Sequence, residues 1–141
     1  MRNHDTIYIG GAFVASDGSD TIDVIHSATE EVIGRVPAGT ASDIDRAVSA
    51  AREAFTAWSE TPNDQRAALL GAIAAGLGER SVELGELIAC EVGMPLPMAQ
   101  MVQAGLPAIV AGSFAKLAAE ASVERTVGTS LVVREAVGVV G

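Results

Sequence analysis

The feature that most constrains this chain is a change in hydrophobic period. Before Gly39 apolar residues alternate in short runs, Ile7-Tyr8-Ile9, Ala12-Phe13-Val14, Thr21-Ile22-Asp23-Val24-Ile25 and Val32-Ile33-Gly34-Arg35-Val36, separated by Gly10-Gly11, Ser16-Asp17-Gly18-Ser19 and Ser27-Ala28-Thr29-Glu30-Glu31. Alternation between turn signals reads as a small antiparallel β unit, ended by Pro37. After Gly39 the spacing becomes three and four, with Ile44, Ala47, Val48, Ala51, Ala54, Phe55 and Trp58 on one side of a helix. Thr40 with Asp43 three positions on has the form of a capping box, and Phe55 and Trp58 are expected as core anchors.

Three further elements follow. A second helix is expected from Thr61-Pro62, with Thr61 as N-cap, Pro62 in the first turn and Asp64 favoured by the helix dipole. Leu69, Leu70, Ile73, Ala74 and Leu77 carry its apolar stripe, Glu79-Arg80-Ser81 breaks it, and the pattern resumes through Val82, Leu84, Leu87 and Ile88 until Gly93 and Pro95. A third helix is expected over Leu96 to Ala121, kinked or interrupted at Pro107. From Val123 the period returns to two, and Ser130 to Gly141 reads as one or two strands of the Val/Gly-rich kind found in parallel sheets. A chain stopping inside such a run reads as truncated, or as one part of something larger.

Composition removes several function classes. With 141 residues and 49% hydrophobic side chains the chain has the size of one ordinary domain with a real core. Nine basic against 18 acidic residues give a net charge of -9, and Lys116 is the only lysine, so nucleic acid is not an expected partner. The N-terminus lacks the apolar run of a secretory signal, and Cys90 is the only cysteine, which together point to the cytoplasm. Val92 to Ala115 is uncharged, but its prolines, Gln100 and Gln103, and the alignment of Met98, Met101, Val102, Ile109 and Val110 on one stripe, read as a buried helical face rather than a membrane span.

Candidate chemistry is sparse. Cys90 lies in an apolar helix far in sequence from His4 and His26, so it reads as structural packing. Gly138-Val139-Val140-Gly141 has no helix after it to cradle phosphate. Glu30, Glu31, Glu79, Glu83 and Glu86 read as solvated surface.

The order of segments resembles the N-terminal part of the aldehyde dehydrogenase superfamily. The matching residues are Tyr8-Ile9-Gly10-Gly11, Thr29 through Gly34, Asp43 through Trp58, Arg66-Ala67-Leu70, Glu91-Val92-Gly93-Met94-Pro95 and Val133 through Val139. Most specific are Ala-Phe-x-x-Trp with an arginine eight residues later, then Glu-x-Gly-x-Pro. Met94 and Ala136 depart from the lysine and proline frequent in the family.

The resemblance implies an α/β fold: the N-terminal hairpin and helices of a Rossmann-type cofactor domain over 1–121, the start of bridging, oligomerising strands over 122–136, and the first strand of the dinucleotide-binding sheet, cut short, over 137–141. It implies oxidation of a small-molecule aldehyde to a carboxylic acid with NAD or NADP, through a cysteine thiohemiacetal and thioester, in a homo-oligomer, dimer or tetramer. The nucleophile, general base and cofactor motif are implied to lie beyond this segment, which is expected to be inactive and cofactor-free alone. The resemblance also implies an alkali cation site at the Val24 and Ile25 carbonyls and the Glu91 carboxylate. The alternative is a non-catalytic helical assembly module derived from such an enzyme.

Overall fold

The computed structural model describes residues 2–121 and 123–141; Met1 and Ser122, the expected first residues of the helical part and of the bridging strands, lie outside the described residues. The β unit has two parts. Strands β2 (Ile7–Ile9) and β3 (Ala12–Val14) form an antiparallel hairpin across Gly10-Gly11, with Tyr8 against its cross-strand partner Phe13 in an edge-on contact at 5.2 Å between ring centroids. Strands β4 (Thr21–Ile25) and β5 (Val32–Pro37) form a second antiparallel pair. The expectation of a purely antiparallel unit is corrected here, because β1 (Arg2–Asn3) pairs parallel to β5 and gives the sheet order β1-β5-β4. A two-residue strand paired with a segment thirty residues away leaves no periodicity to read.

Helix α1 (Ala41–Ser59) begins as its sequence dictates. The Thr40 hydroxyl accepts the Asp43 backbone N–H at 3.2 Å, and the Asp43 carboxylate accepts the Thr40 backbone N–H at 2.9 Å, completing the capping box. At its other end, Arg66 donates through Nη2 to the carbonyls of Trp58 and Ser59, each at 2.9 Å, and its guanidinium lies 5.4 Å from the Trp58 ring centroid. The eight-residue spacing from Trp58 to Arg66 thus has a physical reason: the arginine adds donors to the last carbonyls of α1 and stacks on the last aromatic ring. Trp58 is consequently half exposed under a cation, not the core anchor expected of it, whereas Phe55 is half-buried.

Helix α2 spans Asn63–Glu79 and α3 spans Ser81–Val92, with the break at Arg80 where the polar run predicts it. Thr61 does not cap α2. Its hydroxyl donates backward to the Ala57 carbonyl at 3.1 Å, because α1 ends only two residues earlier and offers the nearer acceptor. Asp64 stands in the first turn as expected.

The third helical stretch is continuous from Leu96 to Glu120 and comprises α4 (Leu96–Met98), a π-helical segment (Ala99–Ala104) and α5 (Gly105–Glu120). No interruption occurs at Pro107. A proline inside a helix lacks an N–H and crowds the carbonyl four residues back, here Gln103, and the widened π turn lies directly upstream to absorb both effects. The π segment packs on α3 where Gly85 is buried; a Cβ there would come within 2.9 Å of the Gln100 Cα, so no side chain fits. Helix α5 lies along α2, with Gly112 beside Ala74.

Strands β6 (Glu124–Val127) and β7 (Ser130–Val133) form a hairpin with all eight residues exposed. Residues 134–141 take no regular secondary structure, so the expected strand over 137–141 is not formed as a ladder within this chain.

The expectation of a real core is the main correction. Among the described residues the buried hydrophobic ones are Ala99 and Ala104, at 0% and 2% exposure. The accessible surface is 10029 Å², against ~6,800 Å² expected for a compact monomer of this mass. Met98, Met101, Ile109 and Val110, read as a buried stripe, are exposed, as are Ile44, Leu69 and Ile73. By length and composition alone Leu96–Glu120 could cross a membrane. Leu70, Ala74 and Leu77 are half-buried while Leu69 and Ile73 face outward, so α2 is apolar on two sides, the pattern of a helix sandwiched between layers.

Candidate functional site

The groups with chemical potential gather where the C-terminal end of α3 meets the β1-β5-β4 sheet. The turn after β4 is fastened there. The Ser27 backbone N–H donates to the Cys90 carbonyl at 3.0 Å, and the Ser27 hydroxyl donates to the carbonyls of Cys90, at 3.3 Å, and of Glu91. Helix α3 stops immediately beyond because Gly93 adopts φ +74°, and a Cβ at that position would lie 3.1 Å from the Ser27 Cβ. The Glu-x-Gly-x-Pro sequence is therefore a helix stop shaped to receive a serine turn.

Between sheet and helix lies a cavity of about 380 Å³ lined by His4, Val24, Ile33, Gly34, Val36, Glu86, Leu87, Cys90 and Glu91. Its walls are Val24 and the β5 residues on one side and the last turns of α3 on the other. The carboxylates of Glu86 and Glu91 and the negative end of the α3 dipole make it electronegative, favouring a cation over an anion.

Of the three residues named for an alkali cation, Val24 and Glu91 line this cavity and Ile25 does not. The β4–β5 ladder shifts register between Val24 and Ile25, with Ile33 as the extra residue on β5. A bulge locally disrupts the ladder and is a place where a backbone carbonyl can turn toward another partner. Among the described residues, no three His, Cys, Asp or Glu side chains are grouped to hold a metal, so a cation here would need backbone oxygens beside any carboxylate.

Cys90 is half-buried, as packing predicts, yet the distance in sequence between it and the histidines is misleading. His4 lines the same cavity, held by its backbone N–H donating to the Arg35 carbonyl at 2.9 Å. This proximity was hidden because it depends on the parallel β1–β5 pairing. His26 lies in the following turn, where its Nδ1 accepts the N–H groups of Ala28 and Thr29 at 3.1 and 3.3 Å. Glu86 is exposed, as its reading as surface predicts, and also lines the cavity, whereas Glu83 pairs with Arg80 at 3.0 Å on an exposed face.

A second polar cluster holds the start of α1. The Asp43 carboxylate, 3% exposed, accepts from the Ser16 hydroxyl at 2.6 Å, the Asp17 N–H at 3.1 Å, the Thr40 hydroxyl at 3.0 Å and Arg46 Nη2 at 2.6 Å. The Ser16 hydrogen bond, the Thr40 N–H and, more weakly, Arg46 and the Asp17 N–H hold this carboxyl well below the usual carboxylate range. The sequence shows the Thr40 half of this arrangement; Ser16 and Asp17, read as a tight turn, in fact wrap onto the helix. These donors converge on Asp43, so the cluster fastens the Ser16-Asp17 turn to the start of α1.

The profile of the aldehyde dehydrogenase family matches residues 13–141. A 3-succinoylsemialdehyde-pyridine dehydrogenase of a Pseudomonas species is 36% identical over 147 aligned residues, covering 100% of this chain and 30% of the relative. A Staphylococcus aureus protein assigned to the aldehyde dehydrogenases is 40% identical over 143 residues, with the same coverage. An aldehyde dehydrogenase of Mycobacterium tuberculosis, solved with NAD+, superposes with a TM-score of 0.88 at 34% identity over 95% of this chain and 29% of its own. Aldehyde dehydrogenase C of Pseudomonas syringae, solved with NAD+ and octanal, gives 0.85 at 36% identity over 88% and 26%. The chain thus spans about 30% of the length of the curated relatives it matches, and it belongs to the aldehyde dehydrogenase family.

Proposed function

We propose that the complete protein oxidises an aldehyde to the carboxylic acid with NAD(P)+, and that this 141-residue chain is one structural part of that enzyme, without turnover of its own. The observation that carries this reading is the family match over residues 13–141 combined with relatives about three times as long. The relatives solved with NAD+ support a nicotinamide cofactor, and the octanal complex supports an aldehyde substrate. When bound, the cofactor would supply the hydride acceptor. Within this chain Gly138–Gly141 is irregular backbone, and the proposal is that these residues alone bind no dinucleotide.

The resemblance puts the attacking cysteine thiolate and the glutamate that activates water beyond Gly141, and it gives Cys90 no part in the chemistry. What this chain contributes is scaffold. The two-sided apolar α2 and the uncovered face of α5 support packing against further layers of the same enzyme, and the exposed β6–β7 hairpin supports a role in joining subunits. The proposal includes a cytoplasmic homo-oligomer, a helix Leu96–Glu120 that packs within protein rather than lipid, and no nucleic-acid partner. It also keeps an alkali cation on the Val24 and Ile25 carbonyls and Glu91, supported by the electronegative cavity and the adjoining bulge.

The test is expression of the reading frame extended past Gly141 beside the 141-residue chain, with NAD(P)H formation followed for a panel of aldehydes. Turnover by the extended protein alone is the expected result; turnover by the short chain would overturn the scaffold reading. Crystals of the extended protein grown in sodium or potassium that show only water beside Glu91 would remove the cation.

A further inference from the structure

We draw no further inference here: the strongest candidate, the cavity of about 450 Å³ between the α1–α2 turn, the end of α5 and the exit from β7, where Arg66 and Arg134 stand near the start of α2, carries nothing because Glu60 and Glu135 line it as well and nothing in the structure shows what fills it.

Discussion

At the start of α1 a buried carboxylate has every acceptor position answered by residues of this chain, from Ser16, Asp17, Thr40 and Arg46. Along α5, Ile109 and Phe114 are 67% and 56% exposed and meet no comparable complement. Both regions begin from amphipathic helical patterns, and they differ in where the partner lies. The α1 junction is closed by residues within about thirty positions, so its stability is local. The face of α5 is large, apolar and uncovered, and such faces mark interfaces. One part of the chain is therefore finished by its own sequence, and the other, on the proposed reading, is finished by contacts from elsewhere in the enzyme.

The sharpest way to break this comparison is at α5. Phe114→Ala should destabilise the extended protein by about 3–5 kcal/mol if the ring is buried there, and should change the short chain by less than about 0.5 kcal/mol, the ordinary cost at a surface. Chemical denaturation of both lengths reads the difference; equal effects would mean that α5 faces solvent in both. Gly85→Ala probes the tight contact between α3 and the π segment. The added methyl meets the Gln100 backbone, and the overpacking should cost about 1–3 kcal/mol in either length. A neutral result would show that α3 and the π segment are free to separate.

At the closed junction, Thr40→Ala should cost about 1 kcal/mol, the usual value of an N-cap. Asp43→Ala should move the denaturation midpoint further, since it also releases Ser16, Asp17 and Arg46. Equal shifts for the two variants would reduce the cluster to a simple cap. The smallest effect concerns pH. A carboxylate whose folded pKa is depressed contributes stability fully above its unfolded pKa, about 4, and loses it as pH falls through the folded value. Asp43 should therefore leave stability flat from pH 5 to 8 and add acid sensitivity below about pH 4, which Asp43→Asn removes. A slope near neutrality lost in that variant would contradict the assignment.

Local signals were legible because they act over a few residues. The capping box at Thr40 and Asp43, the break at Arg80 and the stop at Gly93 all appear where residue chemistry places them. The pairing of β1 with β5, which brings His4 to the Cys90 cavity, depends on a contact across some thirty residues and left no pattern. The kink or interruption expected at Pro107 is replaced by a π segment over Ala99–Ala104, because the proline announces a defect without saying which turn absorbs it. Burial was the largest misreading. An apolar stripe states that a face needs cover, and it cannot state whether the cover lies in the same 141 residues. Ile44, Ile73, Met101 and Ile109 all show that distinction. The candidate site was half legible: Val24 and Glu91 line one cavity, while the contributions of Glu86, His4 and Ser27 emerge only once the sheet is assembled.

The central claim is that this chain's apolar faces are completed by the rest of an aldehyde dehydrogenase. Hydrogen–deuterium exchange on α2 and α5, measured in parallel on the 141-residue chain and on the protein extended past Gly141, tests it most directly. The account predicts weak protection of both helices in the short chain and a rise of at least about a hundredfold on extension, because amides exchange through local opening that buried packing suppresses. Equal, strong protection in a monomeric short chain would contradict it.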